Sequence, residues 1–399
     1  AAIAAARIGT ESELEAMLGR VGSAAAAWGS LPAADRAEVL LRAAGALERR
    51  RAELIEVAAS ETGKTLAEAD VEVSEAVDFA RYYAATAREL DRVSGAVFVP
   101  DRVTVVAPRW NAPVGLCAAE VLAALAAGSG VVLTPSPRAR RSGAVLAEAL
   151  WAAGVPRDVL AFVDLNEEAS GRALVVHPGV DRILLAGARE TAERFAAWRP
   201  ELALQAVAAG RTAVIVAPSA DVDETVAALV EGAFARAGQA PGASSLAILV
   251  GSAARSSRFS EQLSDAVSSL RVGPASDPRS QVGPLVEEPS GAVRRALTVL
   301  ESGERWLVAP RELDLDPDMA GRYWTPGVRV GVSATSLVST EAVAAPVLGI
   351  LHAPTLTRAI ELQNLVGSGY VAGLHTRDAD DLDLWLDTVQ AGVLRVNRS

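Results

Sequence analysis

The chain of 399 residues has one cysteine, three histidines, two methionines and few aromatics, 4% in all. Its single thiol, Cys117, excludes an internal disulfide and suits a reducing compartment. His177, His352 and His375 are too dispersed for metal-ligand spacing and no cysteine or carboxylate cluster joins them, so no metal is expected. No stretch of about eighteen apolar residues escapes a charge or a helix breaker, which argues against a membrane span. No basic-then-apolar leader follows Ala1. Positive charge is also short: a formal net charge of -11 argues against a nucleic-acid surface, which needs a basic face to neutralise phosphates. Lys64 is the only lysine, and arginine carries the remaining basic charge, as coding bias would produce. Together these absences imply a cytoplasmic protein. A start without methionine and a stop at "RVNRS" give the expectation that the sequence is part of something longer.

Half of the residues are hydrophobic, and alanine-rich helical text alternates with short apolar runs. Pro32 and Asp35 open a helical region that Gly63 interrupts, with a second amphipathic helix running to about Arg88. Strand text follows: "AVFVP", "VTVVAP", "GVVLTP", "VLAFVD" and "RILLAG", the later runs separated by helices. Repeated strand–helix units predict a doubly wound α/β fold with largely parallel sheets. After Gln205 the text restarts as "TAVIVAPSADVDETVAALVEGAFARAG", the opening of a second α/β domain. The expected division is residues 1–206, a nucleotide-binding-like domain with N-terminal helices; 207–385, a second α/β domain; and 386–399, a segment returning to the first.

Several motifs in one order carry a resemblance over nearly the whole chain. "PRWNAPVGLCAAEVLAALAAGSGVVLTPSP" resembles the segment of aldehyde dehydrogenases in which a Pro-Trp-Asn-Phe-Pro turn precedes a helix and a Lys-Pro strand end. "RILLAGARETA", "AGRTAVIVAPSADVD", "AGQAPGASSLAILV", "YWTPGV" and "APVLGI" match further family segments in sequence order. "ETGKTLAEADVEVSEAVDFARYYA" is most similar to the glutamate-semialdehyde (pyrroline-5-carboxylate) dehydrogenases, especially those fused to proline dehydrogenase. The resemblance implies an aldehyde-dehydrogenase-like fold of two doubly wound domains. It also implies a link to proline catabolism, with a proline dehydrogenase or an active dehydrogenase-like subunit as partner or fused domain.

It further implies where the chemistry should sit. The family reaction needs a thiolate to attack the aldehyde, a carboxylate to activate water, and donors for the oxyanion. The thiol position of the Gly-Gln-x-Cys loop is Pro241 here, and the general-base position is Val207. Asn111, the family's oxyanion-type amide, is retained beside Trp110. The lysine that meets the adenine ribose corresponds to Thr134, and the acidic residue shortly after it to Arg138. Ala186 and Ala188 replace the threonine and serine of a Phe-Thr-Gly-Ser turn, whose Gly187 persists and whose helix start could hold an anion. Glu341 takes the place of the carboxylate on the nicotinamide ribose only with one extra residue before Pro346; without a gap that position is Ala342.

These losses predict a catalytically inactive domain with a structural or regulatory role and no bound cofactor, or at most a weakened NAD site. Two other readings stand beside it: altered, non-redox chemistry using Asn111, or a surviving NAD-dependent semialdehyde dehydrogenase using Cys117. Cys117 reads more simply as a small buried residue, and Ser244 and Ser245 as packing or loop residues. Asp378, Asp380, Asp381 and Asp383 lack the glycine and terminal glutamate of a calcium loop and read as a solvated helix start.

Overall fold

The computed structural model describes residues 6–165, 168–208 and 210–399. They form two compact units, Ala1–Thr62 with Leu66–Ala208 and Gly63–Thr65 with Ala209–Ser399.

In the first unit a short strand β1 (Ala6–Arg7) precedes four helices, α1 (Glu11–Gly29), α2 (Ala33–Arg49), α3 (Arg51–Thr62) and α4 (Leu66–Leu90). The helical region thus divides into more pieces than its periodicity suggests. A capping box starts α1: the Thr10 hydroxyl accepts from the Glu13 amide while the Glu13 carboxylate accepts from the Thr10 amide. Strands and helices then alternate as β2 (Val103–Ala107), α5 (Gly115–Ala127), β3 (Gly130–Leu133), α6 (Arg140–Ala152), β4 (Leu160–Asp164), α7 (Glu168–Val176), β5 (Arg182–Gly187), α8 (Arg189–Trp198) and β6 (Ala203–Ala208). All strands pair in parallel, in the order β1-β4-β3-β2-β5-β6. The apolar runs β2 and β3 are almost wholly buried, as strands covered on both faces must be. "AVFVP" is not a strand: Val97 and Val99 are 90% and 85% exposed. Its alternation has no neighbouring strand to pair with, and apolar text alone does not supply one.

The second unit contains β7 (Thr212–Val216), α9 (Val222–Phe234), β8 (Ser244–Val250), α10 (Ser257–Ser268), α11 (Gly291–Thr298), β9 (Arg305–Val308), β10 (Glu312–Leu313) and β11 (Tyr323–Trp324). It continues with β12 (Gly327–Val330), α12 (Leu337–Thr340), β13 (Val347–Ala353), α13 (Leu356–Val366), β14 (Val371–His375), α14 (Ala379–Thr388) and β15 (Val393–Val396). Seven of its strands form one sheet, β15-β14-β7-β8-β13-β12-β9, in which only β9 runs antiparallel to its neighbour. The expectation that residues 386–399 return to the first domain is corrected. β15 pairs in parallel with β14, Val371 opposite Val393, and extends the second unit's own sheet. The Asn397 side chain fastens the strand end by accepting from the Thr376 amide and donating to the Thr376 carbonyl.

The aspartate run is a helix start. Asp378 caps α14, its carboxylate accepting from the amides of Asp380 and Asp381. No helix among the described residues is long and apolar enough to cross a membrane.

Candidate functional site

In the first unit the candidate residues gather at the carboxyl ends of the parallel strands. From β2 the chain moves outward through β3 to β4 on one side, and through β5 to β6 on the other. Ligands of open α/β sheets bind at such a reversal of strand order. Trp110 and Asn111 lie in the turn after β2, both buried. Thr134 follows β3 directly, its amide and hydroxyl both donating to the Val106 carbonyl, at 2.9 and 3.2 Å. Ala186 and Gly187 end β5, and Ala188 is the N-cap of α8 in an extended conformation without a side-chain cap.

The two helix starts at this edge differ. At α5 the buried Glu72 carboxylate accepts from the amides of Val114 and Gly115, at 2.8 and 3.0 Å. That carboxylate already satisfies the positive end of the helix. It sits close enough that a Cβ on Gly115 would meet Glu75 Oε2 at 2.9 Å and the Glu72 side chain at 3.0 Å. At α8, by contrast, Ala188 supplies no side-chain cap, and the first turn carries both Arg189 and Glu190.

Two charged residues here were not singled out from the sequence. Glu120 is the only charged residue on α5. Burial pushes its carboxyl up to about 7, and its Oε2 is enclosed without a hydrogen-bond partner among the described residues. A lone acid in "GLCAAEVLAALAA" was the available signal. The other is Arg109, half-buried, whose guanidinium lies 5.9 Å from the centre of the Trp110 ring.

Cys117 lies on the same helix, wholly buried. Burial first, then the charges of Glu120 and Glu72, push its thiol well above the ordinary range, so it is held as a thiol and not as a nucleophilic thiolate. Val207 sits on the sheet's outermost strand, 36% exposed, with Ala186 as its cross-strand partner. A valine there offers no proton acceptor.

In the second unit Pro241 is half-buried in the loop between α9 and β8. The loop begins with left-handed backbone at Arg236 (φ 55°), Ala237 (φ 53°) and Gly238 (φ 69°). Only a glycine fits at 238, where a Cβ would lie 2.0 Å from the Ala345 carbonyl oxygen. Buried Gln239 locks the turn: its amide group donates to the carbonyls of Arg236 (3.1 Å) and Pro284 (3.4 Å), and its carbonyl accepts from the Val286 amide (3.0 Å). Strain of this kind collects where a loop must present a group to a site. Pro241 follows this strained turn two residues after Gln239. Glu341 is exposed, following the short helix α12, and Ala342 beside it is exposed as well. Ser244 and Ser245 belong to β8, where the Ser245 hydroxyl donates to the Thr212 carbonyl at 3.4 Å.

The histidines stay apart in role. His177 pairs with Glu15 at 2.6 Å, His352 is exposed, and His375 is buried at the end of β14. No group of three or more metal-ligating side chains occurs among the described residues.

Comparison with known proteins identifies the frame. A model described as "Aldehyde dehydrogenase family" matches residues 1–399. The structure of proline utilization A (PutA) from Corynebacterium freiburgense is similar at 41% identity with a TM-score of 0.91, covering 98% of this chain and 40% of that protein. This chain therefore spans well under half of that relative. A 1-pyrroline-5-carboxylate dehydrogenase of a Geobacillus species is 27% identical over 394 residues, covering 93% of this chain and 75% of the relative. A Thermus 1-pyrroline-5-carboxylate dehydrogenase with bound NAD is 27% identical with a TM-score of 0.87, covering 98% of this chain and 78% of that one. This last similarity overturns the expectation that no cofactor is bound.

Proposed function

This chain belongs to the aldehyde dehydrogenase family, and we propose that it is a member that binds a nicotinamide dinucleotide but does not oxidise aldehydes. On this reading it serves a structural or regulatory role beside a partner in proline catabolism, as part of a longer protein or an assembly. The names of its PutA and 1-pyrroline-5-carboxylate dehydrogenase relatives support the metabolic setting. The observation that carries the loss of oxidation is the placement of sulfur. The one thiol of the chain is sealed inside α5 and held protonated, while the loop that would present a nucleophile carries Pro241. A thiolate is required for the covalent intermediate, and proline cannot form one.

The residues at the carboxyl edge of the first sheet fit a dinucleotide. The uncapped α8 start with Arg189 suits the diphosphate, the end of β3 at Thr134 suits the adenosine side, and α5 is closed to phosphate by Glu72. When bound, the nicotinamide supplies a hydride acceptor. In this chain Pro241 cannot form the adduct from which a hydride would leave, and Val207 cannot activate the water that would release the product.

Calorimetric titration with NAD+ and NADP+, alongside an assay for reduced nicotinamide with glutamate semialdehyde, tests the reading. Binding without turnover is the expected result, and Pro241→Cys alone should leave turnover absent because Val207 still offers no base. Turnover abolished by Cys117→Ser would sink the proposal in favour of a surviving dehydrogenase. One observation favours a second reading, altered non-redox chemistry: Glu120, titrating near neutrality, has the poise of a general acid or base. Product formation from a semialdehyde without dinucleotide reduction, lost in Glu120→Gln, would establish it.

A further inference from the structure

We propose that the second unit has a binding site of its own for a small, uncharged carbonyl compound, in the cavity beyond the carboxyl ends of β7 and β8. Thr225 supplies the hydrogen bond that recognises the carbonyl oxygen. The inference goes beyond the dinucleotide reading, which concerns the first unit only.

Placement is the first argument. The cavity has a volume of about 210 Å³ and is walled by the segments that follow β7 and β8 and lead into α9 and α10. Val216, Ala217, Thr225 and Phe259 are buried at its base, and Pro218 and Ser252 are exposed at its mouth. The Pro241 loop enters β8 at the other end of that strand, seven residues or about 20 Å away. Strand order reverses at β7: the chain leaves β7 for β8, and later leaves β14 for β15 in the opposite direction. Open α/β sheets hold ligands in carboxyl-end crevices beside such a reversal.

An unmet hydrogen bond is the second argument. Thr225 is 1% exposed, and its Oγ1 has no hydrogen-bond partner among the described residues. A threonine hydroxyl inside a helix can donate to the carbonyl one turn back. Here the Asp221 carbonyl takes the Thr225 amide at 3.0 Å, and the hydroxyl is left over beside the cavity. A buried hydroxyl without a partner is costly, so an occupant that meets it is held more tightly. Ser256 adds a second donor: its oxygen accepts from the Phe259 amide at 3.2 Å, which leaves its proton for the cavity. One carbonyl oxygen, with a pair of acceptor sites and no proton, suits both hydroxyls.

Charge and size narrow the class. No charged side chain lines the cavity among the described residues. The start of α9 is closed by Asp221, whose carboxylate accepts from the amides of Asp223 and Glu224 and pairs with Arg377 at 2.7 Å. Asp223 pairs with Arg258 at 2.8 Å, and the exposed Arg255 lies outside the lining. An ion would find no counter-charge inside, whereas Val216, Ala217 and Phe259 suit a hydrocarbon body. A cavity of roughly 150 Å³ accommodates benzene, so this one takes a body of about seven non-hydrogen atoms.

The test is an NMR titration of the full chain, methyl-labelled at valine, with cyclohexanone, methylenecyclohexane and cyclohexanecarboxylate, repeated with Thr225→Val and Ala253→Leu. Thr225→Val keeps the side-chain shape and should leave the urea midpoint unchanged or raised, since an unpaired hydroxyl is removed. Cyclohexanone should shift the Val216 methyl signals saturably. It should bind about tenfold more tightly than methylenecyclohexane, which has the same shape without the acceptor. Thr225→Val should erase that preference, and Ala253→Leu, which enlarges a lining side chain, should abolish binding. No saturable shift with any of the compounds would mean that the cavity holds only solvent. Equal binding of cyclohexanone and methylenecyclohexane, or a preference that survives Thr225→Val, would remove the hydroxyl from the account. Tighter binding of cyclohexanecarboxylate would make this an anion site. Each of these three results overturns the proposal.

Discussion

The two units fill their interiors by different means. The first packs small side chains: Ala37, Ala43, Ala44 and Ala46 of α2, and Ala69, Ala76, Ala80 and Ala84 of α4, are all buried in its core. Alanine costs no side-chain entropy in a helix and lets helices approach closely, although this unit also buries polar and charged groups, Arg36, Glu72 and Asn111 among them. The second unit buries polar groups and must satisfy them. Arg329 and Glu304 form an ion pair at 3.0 Å with both side chains at 0% exposure. Arg329 also donates to the carbonyls of Arg295, Ala296 and Val299 at the end of α11, and lies 4.7 Å from the centre of the Trp306 ring. Gln363 bridges the carbonyls of Ala213 and Gly373 and accepts from the Trp385 indole at 2.7 Å. An alanine core tolerates the loss of any one contact, whereas a buried polar network fails when one member is removed.

Removing Glu304 should break that comparison most sharply. Glu304→Ala leaves the Arg329 charge enclosed without its carboxylate, at a cost of about 3–5 kcal/mol. Urea unfolding followed by fluorescence, with hydrogen exchange to localise the change, should show the second unit failing while the α2 and α4 amides keep their protection. The double change Arg329→Met with Glu304→Leu should recover most of the loss, since the network is then absent and not half-made. A similar loss from Ala44→Gly, in the alanine core, would show that the two interiors do not differ in this way.

Acid and alkali should separate the units next. His375 in the second unit is held neutral by burial, its pKa lowered to about 4. The unfolded chain takes up that proton first as pH falls. Its contribution is therefore present above about pH 6.5 and disappears as pH drops towards 4, up to roughly 3 kcal/mol in all. Glu120 in the first unit runs the other way. Its folded pKa is raised to about 7, so its contribution is complete below about pH 4.5 and is lost as pH climbs through 7, by roughly 2–3 kcal/mol. Unfolding free energies measured from pH 4 to 9 should lose their acid slope in His375→Asn and their alkaline slope in Glu120→Gln. An unchanged slope in either variant refutes the corresponding assignment.

The smallest effect belongs to the Pro241 loop. Ala237 holds a left-handed conformation that glycine adopts freely, so Ala237→Gly should stabilise the second unit by about 1 kcal/mol. A destabilised Ala237→Gly, read from the urea midpoint, would mean that the methyl group packs well enough to outweigh the backbone strain.

Much of the fold was legible because β2, β3, β7 and β8 are short apolar runs bounded by glycine, proline or polar turns. Such runs have few options besides a strand covered on both faces. Pro241 and Val207 were marked only by the family resemblance, which expects at those places groups that neither side chain has. What stayed hidden depends on contacts between distant parts of the chain. Glu72 reads as one more helical acid until α5 is seen resting its first amides on it, 42 and 43 residues away in sequence. Val97 and Val99 carry strand-forming text but meet no strand. The pairing of β15 with β14 follows from packing that no local pattern records.

That last pairing leaves β15 as an outer rim with one side of its peptide groups turned away from the sheet, and with Val393 and Leu394 at 43% and 39% exposure. A rim of this kind accepts any further extended chain that reaches it, and Arg395 supplies the one charge within the strand that discourages such addition.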